Sequence, residues 1–428
     1  MHKFSSKSGH SSFPGDFLFG AATSSHQVEG DNRWNDWWEY ETTGQLPFES
    51  GRACDHYNRY EADFDLAQSW GHNCHRLSIE WSRIEPNEGE WNEEAVQHYI
   101  DVFAALRQRG LEPIVTLNHF TLPAWFLRSG GWTARSAAEK YATFVARFVA
   151  ATGDRVCYWM TINEPTVYVQ QSYLNGEWPP LKKGAWREAV KCFRHLARAH
   201  CLAYQAIKRL NDRAMVGFAH SAMDIQPCNP ERAADRSSSK IRNFLLNRLF
   251  FRMIGAVEGE APNGQQSLDF VGINYYTRCS VKASSFGLSA VVGRACKLDH
   301  HADSGVQSSI GWETYPKGLG KVLDQFSSYG LPMLVTENGI ATDDDELRCR
   351  YLEDHLKIVA RALAEGKSVL GYVHWSLMDN FEWHHGYAPR FGLAEVNFNT
   401  MERKSRPSAK LFAQICQGQN AQVEDCVA

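Results

Sequence analysis

Eight short apolar segments recur along the chain, and longer amphipathic segments separate several of them. The strand-like segments cover residues 17–21, 74–79, 113–117, 156–162, 214–218, 268–274, 332–336 and 368–375. Helix-like segments, with apolar residues three and four positions apart, cover residues 93–109, 137–151, 188–209 and 347–365. No Pro-, Gly- or Ser-rich linker interrupts this series. The alternation therefore predicts one closed (β/α)8 barrel, a TIM barrel in the α/β class, rather than two doubly wound domains.

This pattern predicts a single barrel domain over residues 1–428, with long βα loops at roughly 28–55 and 220–310. The second region contains the irregular stretches CNPERAADRSSSK and KASSFGLSAVVGRACKLDHHADSGVQSS. Long irregular segments in a compact domain are usually functional loops or disordered segments.

The charge balance and the cysteine content narrow the class of protein. The 45 Lys and Arg nearly balance the 49 Asp and Glu, so we expect no nucleic-acid partner. The 11 cysteines are odd in number and form no C-x-x-C pair, which is typical of a reduced compartment. The N-terminus has no signal-like apolar run, and no later run approaches the ~18 apolar residues of a membrane span. We therefore expect a cytoplasmic protein without a membrane partner, and the oligomeric state stays open.

Polar residues follow the ends of several predicted strands. They are Asn118 and His119 after strand three, Asn163 and Glu164 after strand four, Asn274, Tyr275 and Tyr276 after strand six, Glu337 and Asn338 after strand seven, and Trp375, Asp379, Glu382 and Trp383 at and beyond strand eight. Active sites of such barrels lie at the C-terminal ends of the strands. The sequence thus predicts a polar site at that face.

Two of these residues, Glu164 and Glu337, are carboxylates on strands four and seven, which lie on opposite sides of a barrel. Glycoside hydrolysis uses such a pair, one as proton donor and the other as nucleophile or base. Metal sites and proton relays also use two carboxylates, so the pair alone leaves the chemistry open.

Longer sequence motifs distinguish between these kinds of chemistry. In chain order they are FLFGAATSSHQVEG at 17–30, HRLSIEWSRIEP at 75–86, TLNHFTLP at 116–123, TINEP at 161–165, FVGINYYT at 270–277, GWETYPKGL at 311–319, VTENG at 335–339 and HWSLMDNFEWHHGYAPRFGL at 374–393. Over nearly its full length the chain resembles glycoside hydrolase family 1, the family of β-glucosidases and β-galactosidases.

The resemblance implies roles for individual residues. Glu164 matches the general acid/base, and Glu337 matches the nucleophile of a double displacement that retains the β-configuration. The residues that match the hydroxyl-binding set of the glycone subsite are Gln27, His119, Asn163, Glu382 and Trp383. Trp375 matches the stacking floor, Arg76 and Tyr276 match the pair beside the nucleophile, and Asn274 is a supporting residue. The charge of Glu337 would raise the pKa of Glu164 and keep it protonated until it is needed.

The chain departs from the family pattern in one motif. Phe120 stands where the family has an indole, and Thr121 where it has an acidic residue. Because Phe cannot donate a hydrogen bond, one contact to the sugar is in doubt, which could relax selectivity between glucose, galactose and fucose. Trp178 and Trp312 are candidate walls of the aglycone site, with plain packing as the alternative.

We therefore expect a retaining exo-β-glycosidase that acts on terminal β-D-glucosyl residues, and on galactosyl or fucosyl residues, of small β-glycosides or short oligosaccharides. A 6-phospho-β-glycosidase is an alternative, which a charged Glu382 would disfavour by repelling phosphate. A catalytically silent, sugar-binding relative and a thioglucosidase are disfavoured because both carboxylates are present. The His300-His301 and His384-His385 pairs lack the i, i+4 spacing of a helical metal site. We expect no metal and no organic cofactor.

Overall fold

Eight parallel strands close into a barrel in a computed structural model, which describes residues 13–258, 267–284, 289–296, 301 and 305–418. The barrel strands are β1 Leu18–Ala22, β2 Cys74–Ser78, β3 Glu112–Thr116, β4 Tyr158–Asn163, β5 Met215–Pro227, β6 Val271–Lys282, β7 Met333–Asn338 and β8 Val369–Trp375. Each strand pairs in parallel with the next, and β8 pairs with β1. The predicted (β/α)8 barrel is confirmed.

Helices lie between the strands, as the periodicity predicts. The α-helices are Ser25–Val28, Asp36–Thr42, His56–Ser69, Trp81–Ile84, Glu93–Gln108, Ala124–Arg128, Ala137–Thr152, Pro165–Val169, Trp186–Leu210, Ala233–Asn243, Leu249–Glu258, Ser289–Val292, Pro316–Ser327, Asp345–Ala364 and Pro407–Cys416. Short π-helical turns cover Gln170–Leu174 and Phe244–Arg248, and 3-10 turns cover Gly131–Thr133 and Trp383–His385. All four helices predicted from the sequence are present within a few residues of their predicted ends.

The helix Glu93–Gln108 shows why these segments are helical. The Asn92 side chain accepts a hydrogen bond from the Ala95 N–H, and Glu93 and Glu94 in the first turn complement the positive end of the helix dipole. Its apolar residues recur at helical spacing and are buried against the barrel. Local capping and burial therefore favour the same element.

Large side chains fill the inside of the barrel. Ile114, Met160, Phe270 and Leu334 belong to one fully buried cluster. A Cβ placed on Gly272 would lie 2.7 Å from the backbone carbonyl oxygen of Phe218, so a glycine is needed in β6 at that point. The interior is a packed core that supports the C-terminal face from below.

The described parts of the region predicted as a long loop over 220–310 contain regular structure, and the rest of that prediction lies outside the described residues. Strands β5 and β6 continue pairing beyond the rim as far as Pro227 and Val281, and a two-residue strand, Arg294–Ala295, pairs antiparallel with β6. Burial alternates along the extension of β5, because each second side chain faces solvent. The sequence prediction ended this strand at 218 because its apolar run ends there. The 28–55 region likewise contains the helix Asp36–Thr42. The single-domain organisation stays a prediction.

A hairpin of Ala394–Asn397 and Glu402–Ser405 follows β8 and packs outside the barrel. Within the described ranges, no helix has both the length and the apolar composition needed to cross a bilayer.

We predict that Met160→Ala lowers the free energy of unfolding by about 2–5 kcal/mol, because it leaves a cavity in the barrel interior. Urea denaturation followed by tryptophan fluorescence measures the change. Val190→Ala is the matched control: Val190 is 57% exposed on the helix Trp186–Leu210, and its truncation should cost less than about 0.5 kcal/mol. Equal losses in the two variants would contradict this description of the interior.

Candidate active site

A pocket of about 400 Å³ opens at the C-terminal ends of the barrel strands. It is lined by Gln27, His119, Phe120, Asn163, Glu164, Val167, Gln171, Glu177, Trp178, Tyr276, Ile310, Trp312, Glu337, Trp375, Glu382, Trp383, His384, His385 and Phe391. All the predicted substrate-binding and aglycone residues and both predicted catalytic carboxylates are in this set. Arg76 and Asn274 lie directly behind it.

Both carboxylate oxygens of Glu337, on β7, accept hydrogen bonds. Arg76 on β2 donates to Oε1 and forms a buried ion pair with it. The Tyr276 hydroxyl donates to Oε2 at 2.5 Å. Arg76 is held in turn by Thr116, whose hydroxyl lies 3.2 Å from Nε. The two oxygens of Glu337 are thus fixed in direction by groups on two other strands.

Glu164 follows β4, and its backbone N–H donates to the Ala219 carbonyl at 2.8 Å. Its Oε1 accepts a hydrogen bond from the Asn274 Nδ2 at 2.9 Å. Burial raises the pKa of Glu164 to about 8, and the nearby charge of Glu337 adds to the shift. The predicted direction of the shift agrees with this, although burial is the larger cause. At neutral pH Glu164 is a carboxylic acid that can donate a proton.

The side-chain amide of Asn163 links Arg76, the partner of Glu337, with Asn274, the partner of Glu164. The Asn163 Oδ1 accepts from the Arg76 Nη2 at 2.7 Å and from the Asn274 Nδ2 at 3.2 Å. Because both partners only donate, the oxygen assignment is determined. The Asn163 Nδ2 therefore donates to the His119 Nε2 at 3.2 Å, which leaves the ring proton on Nδ1. Burial and the charge of Arg76 lower the pKa of His119, in keeping with a neutral ring.

Gln27 and Glu382 form the opposite wall. The Gln27 Nε2 lies 3.2 Å from the Glu382 Oε2 and 2.9 Å from the Phe381 carbonyl. Glu382 keeps some accessible surface toward the pocket, yet burial raises its pKa to about 8, with further contributions from Glu337 and Glu164. Glu382 is thus mainly protonated at neutral pH. The sequence-based expectation of a charge that repels phosphate is therefore wrong in its premise.

Aromatic rings form the remaining walls. The His119 ring stacks with Trp375 and Trp383 at centroid distances of 5.9 and 6.2 Å. Trp178 packs against Phe120 at 4.7 Å and against Trp383 at 5.7 Å, and only 4% of it is exposed. The structure therefore places Trp178 beside the residues that match the glycone subsite, whereas the sequence suggested an aglycone wall.

Trp312 occupies the outer side of the pocket. It is 38% exposed, and its ring lies 5.2 Å from that of Tyr276. It also lines a neighbouring cavity together with Val167, Gln170 and Ser221. This position is compatible with the predicted aglycone wall.

Three non-glycine residues of the pocket have a positive φ. The values are 74° at Phe120, 42° at Glu164 and 52° at Trp383. Side chains with a Cβ rarely adopt this conformation, and such residues cluster at functional sites because the surrounding packing imposes it. The backbone conformation at these three residues directs their side chains into the pocket.

Several strand-end residues have structural contacts instead. The Asn338 Nδ2 donates to the Tyr275 carbonyl at 2.6 Å. Asp379 pairs with Arg406 at 2.7 Å. The Thr121 hydroxyl lies 3.0 Å from a carboxylate oxygen of the buried Glu80. The departure at position 121 therefore lies outside the pocket lining.

Seven lining residues were not predicted from the sequence: the apolar Val167, Ile310 and Phe391, and the polar Gln171, Glu177, His384 and His385. The His384-His385 pair was considered only as a metal motif. Its position close to Glu382 in the sequence was the signal that it also lines the pocket. Gln171 and Glu177 follow the short helix after Glu164, in a π-helical turn and loop without a sequence periodicity. Among the described residues, a group with metal-ligand geometry lies elsewhere, at Cys228, Cys296 and His301.

The family model described as Glycosyl hydrolase family 1 matches residues 9–265 and 252–421. The chain belongs to glycosyl hydrolase family 1. The resemblance noted in its motifs is thus confirmed, and the protein is a glycoside hydrolase of the β-glycosidase type.

Named relatives agree with this assignment. A Beta-galactosidase from Pyrococcus woesei is 33% identical, with 94% of this chain and 96% of that protein covered. A Beta-glucosidase from Agrobacterium sp. is 32% identical, with 95% of each covered. The solved structure of a beta-glycosidase from Pyrococcus horikoshii superposes with a TM-score of 0.86 at 38% identity, covering 95% of each chain. Other relatives are named 6-phospho-beta-galactosidase.

We predict that Glu337→Gln lowers the pKa of Glu164 from about 8 but leaves it above the ordinary 4.5, because burial is the larger cause of the shift. Carboxyl ¹³C NMR of glutamate-labelled protein, assigned with Glu164→Gln, measures this titration. Glu402→Gln is the control, since Glu402 is an exposed carboxyl group outside the pocket. An unchanged pKa in Glu337→Gln would show that the two carboxyl groups are not coupled.

Proposed function

We propose that the protein is a retaining exo-β-glycosidase that removes terminal β-D-glucosyl residues, and galactosyl or fucosyl residues, from small β-glycosides or short oligosaccharides. The observation that carries the proposal is the unequal environment of its two catalytic carboxyl groups. Glu337 is paired with Arg76, whereas burial and the charge of Glu337 keep Glu164 protonated. A double displacement needs one ionised nucleophile and one neutral acid.

In the first step, Glu164 donates its proton to the glycosidic oxygen as the bond to the aglycone breaks. A carboxylate oxygen of Glu337 attacks the anomeric carbon from the opposite face and forms a glycosyl ester. Arg76 and the Tyr276 hydroxyl hold the attacking group in direction. The aglycone leaves as a neutral alcohol.

In the second step, the ester has removed the negative charge of Glu337. One contribution to the raised pKa of Glu164 is then lost, so Glu164 gives up a proton more readily and can act as a base. It deprotonates a water molecule that attacks the anomeric carbon and releases Glu337. Two inversions leave the product with the β-configuration of the substrate.

The closed end of the pocket supports exo action on a single terminal ring. Gln27 and Trp383 are buried there, and Glu382 faces the cavity beside them. Hydroxyl groups of the terminal sugar would meet Gln27, His119, Asn163 and Glu382, while Trp375 and Trp383 offer faces for the apolar side of the ring. The aglycone would extend past Trp312 toward solvent.

A 6-phospho-β-glycosidase is the second candidate, because a protonated Glu382 would not repel a phosphate. Against it, the described residues that line the pocket include neither Lys nor Arg. Phosphate recognition in proteins relies strongly on such side chains. A silent sugar-binding relative is disfavoured, since both carboxyl groups keep the environments that catalysis requires. A cytoplasmic location, which rests on the cysteine content, stays a prediction.

We predict that the protein releases nitrophenol from aryl β-glucoside more readily than from its 6-phosphate, and that Glu337→Gln reduces the rate by about 10³-fold or more. A panel of aryl β-glucoside, galactoside, fucoside, mannoside and 6-phosphoglucoside measures the ranking, and ¹H NMR identifies the first anomer formed. Glu402→Gln, which alters an exposed carboxyl of the hairpin, should leave the rates unchanged. Preference for the 6-phosphoglucoside would favour the second candidate, and an α-anomer formed first would exclude retention.

We predict that kcat/KM falls on the alkaline side of its pH profile. It should fall as pH rises through about 8, because Glu164 must be protonated in the free enzyme. Glu382→Gln should lower the rate but keep the alkaline limb, which separates Glu164 from the other group that titrates near 8. Loss of that limb in Glu382→Gln would assign it to Glu382.

A further inference from the structure

Two cysteines that are 68 positions apart in the chain meet at the outer end of β6. Cys228 directly follows β5, and its N–H donates to the Val281 carbonyl at 2.8 Å. Cys296 directly follows the strand Arg294–Ala295, and its N–H donates to the Ser280 carbonyl at 2.7 Å. β6 thus fixes both backbones through neighbouring residues, and the two Sγ atoms lie 2.8 Å apart.

An imidazole completes the group. A ring nitrogen of His301 and the two Sγ atoms all lie within 4.8 Å of one another, and all three side chains are half-buried. The group is distant from the catalytic pocket: Ser221, on the strand β5 that Cys228 follows, lines a cavity together with Glu164. Seven residues of extended chain separate Ser221 from Cys228, which corresponds to roughly 20 Å.

The donor set selects the chemical class of ligand. Two thiols and one imidazole are the donors that Zn²⁺ and similar thiophilic ions prefer, whereas Ca²⁺ and Mg²⁺ require oxygen donors. Around a tetrahedral Zn²⁺, with Zn–S of about 2.3 Å, two sulfurs lie roughly 3.8 Å apart. The two Sγ atoms, now 2.8 Å apart, would have to separate by about 1 Å to reach this distance. Both thiols would lose their protons to solvent as the ion binds.

We propose that Cys228, Cys296 and His301 bind one thiophilic divalent cation of the Zn²⁺ class, with a fourth position open to water. The ion would fasten Cys296 and His301 to the projecting ends of β5 and β6. Its role is structural and does not depend on the proposed glycosidase activity. The position of the imidazole within reach of both sulfurs favours an ion over a disulfide, because a disulfide needs no third ligand.

Cobalt(II) titration of the full-length protein tests the site. The protein is reduced, freed of metal with a chelator and desalted before Co²⁺ is added. We expect one Co²⁺ per chain, with the thiolate-to-cobalt charge-transfer band and the visible d–d bands of tetrahedral coordination, and displacement by one equivalent of Zn²⁺. Cys228→Ser and Cys296→Ser should abolish the bands, and His301→Ala should weaken binding at least tenfold. Cys349→Ser, which alters a half-buried cysteine outside the site, should retain them.

A second readout reports on structure. Zn²⁺ at 100 times its dissociation constant should raise the melting temperature of the reduced wild-type protein, in the direction that binding to the folded state requires, and should leave that of Cys228→Ser unchanged. Identical cobalt spectra of wild type and Cys228→Ser, or full binding by His301→Ala, would overturn the proposal. It would also be overturned if two thiols become titratable only after reduction and the reduced protein binds no Co²⁺.

Discussion

The buried ion pair between Arg76 and Glu337 determines how protons are distributed over the whole site. Three carboxyl groups, Glu164, Glu337 and Glu382, share one pocket, and Arg76 is committed to one of them. A buried carboxylate without a paired cation is costly, so the other two groups reach neutrality through raised pKa values of about 8. In the proposed mechanism, this ion pair together with burial gives chemically similar side chains two roles, one as nucleophile and one as acid. The same electrostatics make Glu382 a hydrogen-bond donor as well as an acceptor.

The barrel is what makes this arrangement possible, because the partners come from four of its strands. Arg76 lies on β2, Glu164 after β4, Asn274 and Tyr276 on β6, and Glu337 on β7. A polar network of this kind specifies a geometry only when every member is satisfied. Closure of the parallel sheet brings the strand ends within hydrogen-bond distance, and the filled interior prevents them from moving inward. The backbone at Glu164 shows how packing supports the chemistry. Its φ is positive, and its N–H donates a hydrogen bond to the Ala219 carbonyl on β5, which holds the backbone in this conformation.

Most of the barrel could be predicted from the sequence, because the apolar periods of strands and helices are local patterns. The positions of Glu164 and Glu337 could also be predicted, since a residue at a strand end must face the same rim. The extension of β5 to Pro227 was not predictable, because pairing with β6 beyond the rim is a tertiary property. The raised pKa of Glu382 comes from its burial and from two carboxyl groups that are distant in the sequence. The meeting of Cys228 with Cys296 depends on strand register. Each of these requires distances that a single sequence does not specify.

The aromatic wall around Phe120 shows how neighbouring residues accommodate a substitution. Phe120 keeps an apolar ring at a position where the family has an indole, but it removes an N–H donor. Trp178 packs against Phe120 and restores indole surface nearby, yet its own N–H is donated to the His384 Nδ1 at 2.8 Å. That bond leaves the His384 proton on Nε2, facing Glu177 at 3.7 Å, so the indole is held by a neutral histidine. Trp178 thus supplies aromatic surface to the wall, but its N–H does not replace the donor that Phe120 lacks. Under the proposed function, discrimination between sugar epimers would fall on Gln27, His119 and Glu382, and a neutral Glu382 that both donates and accepts would suit either orientation of a hydroxyl group.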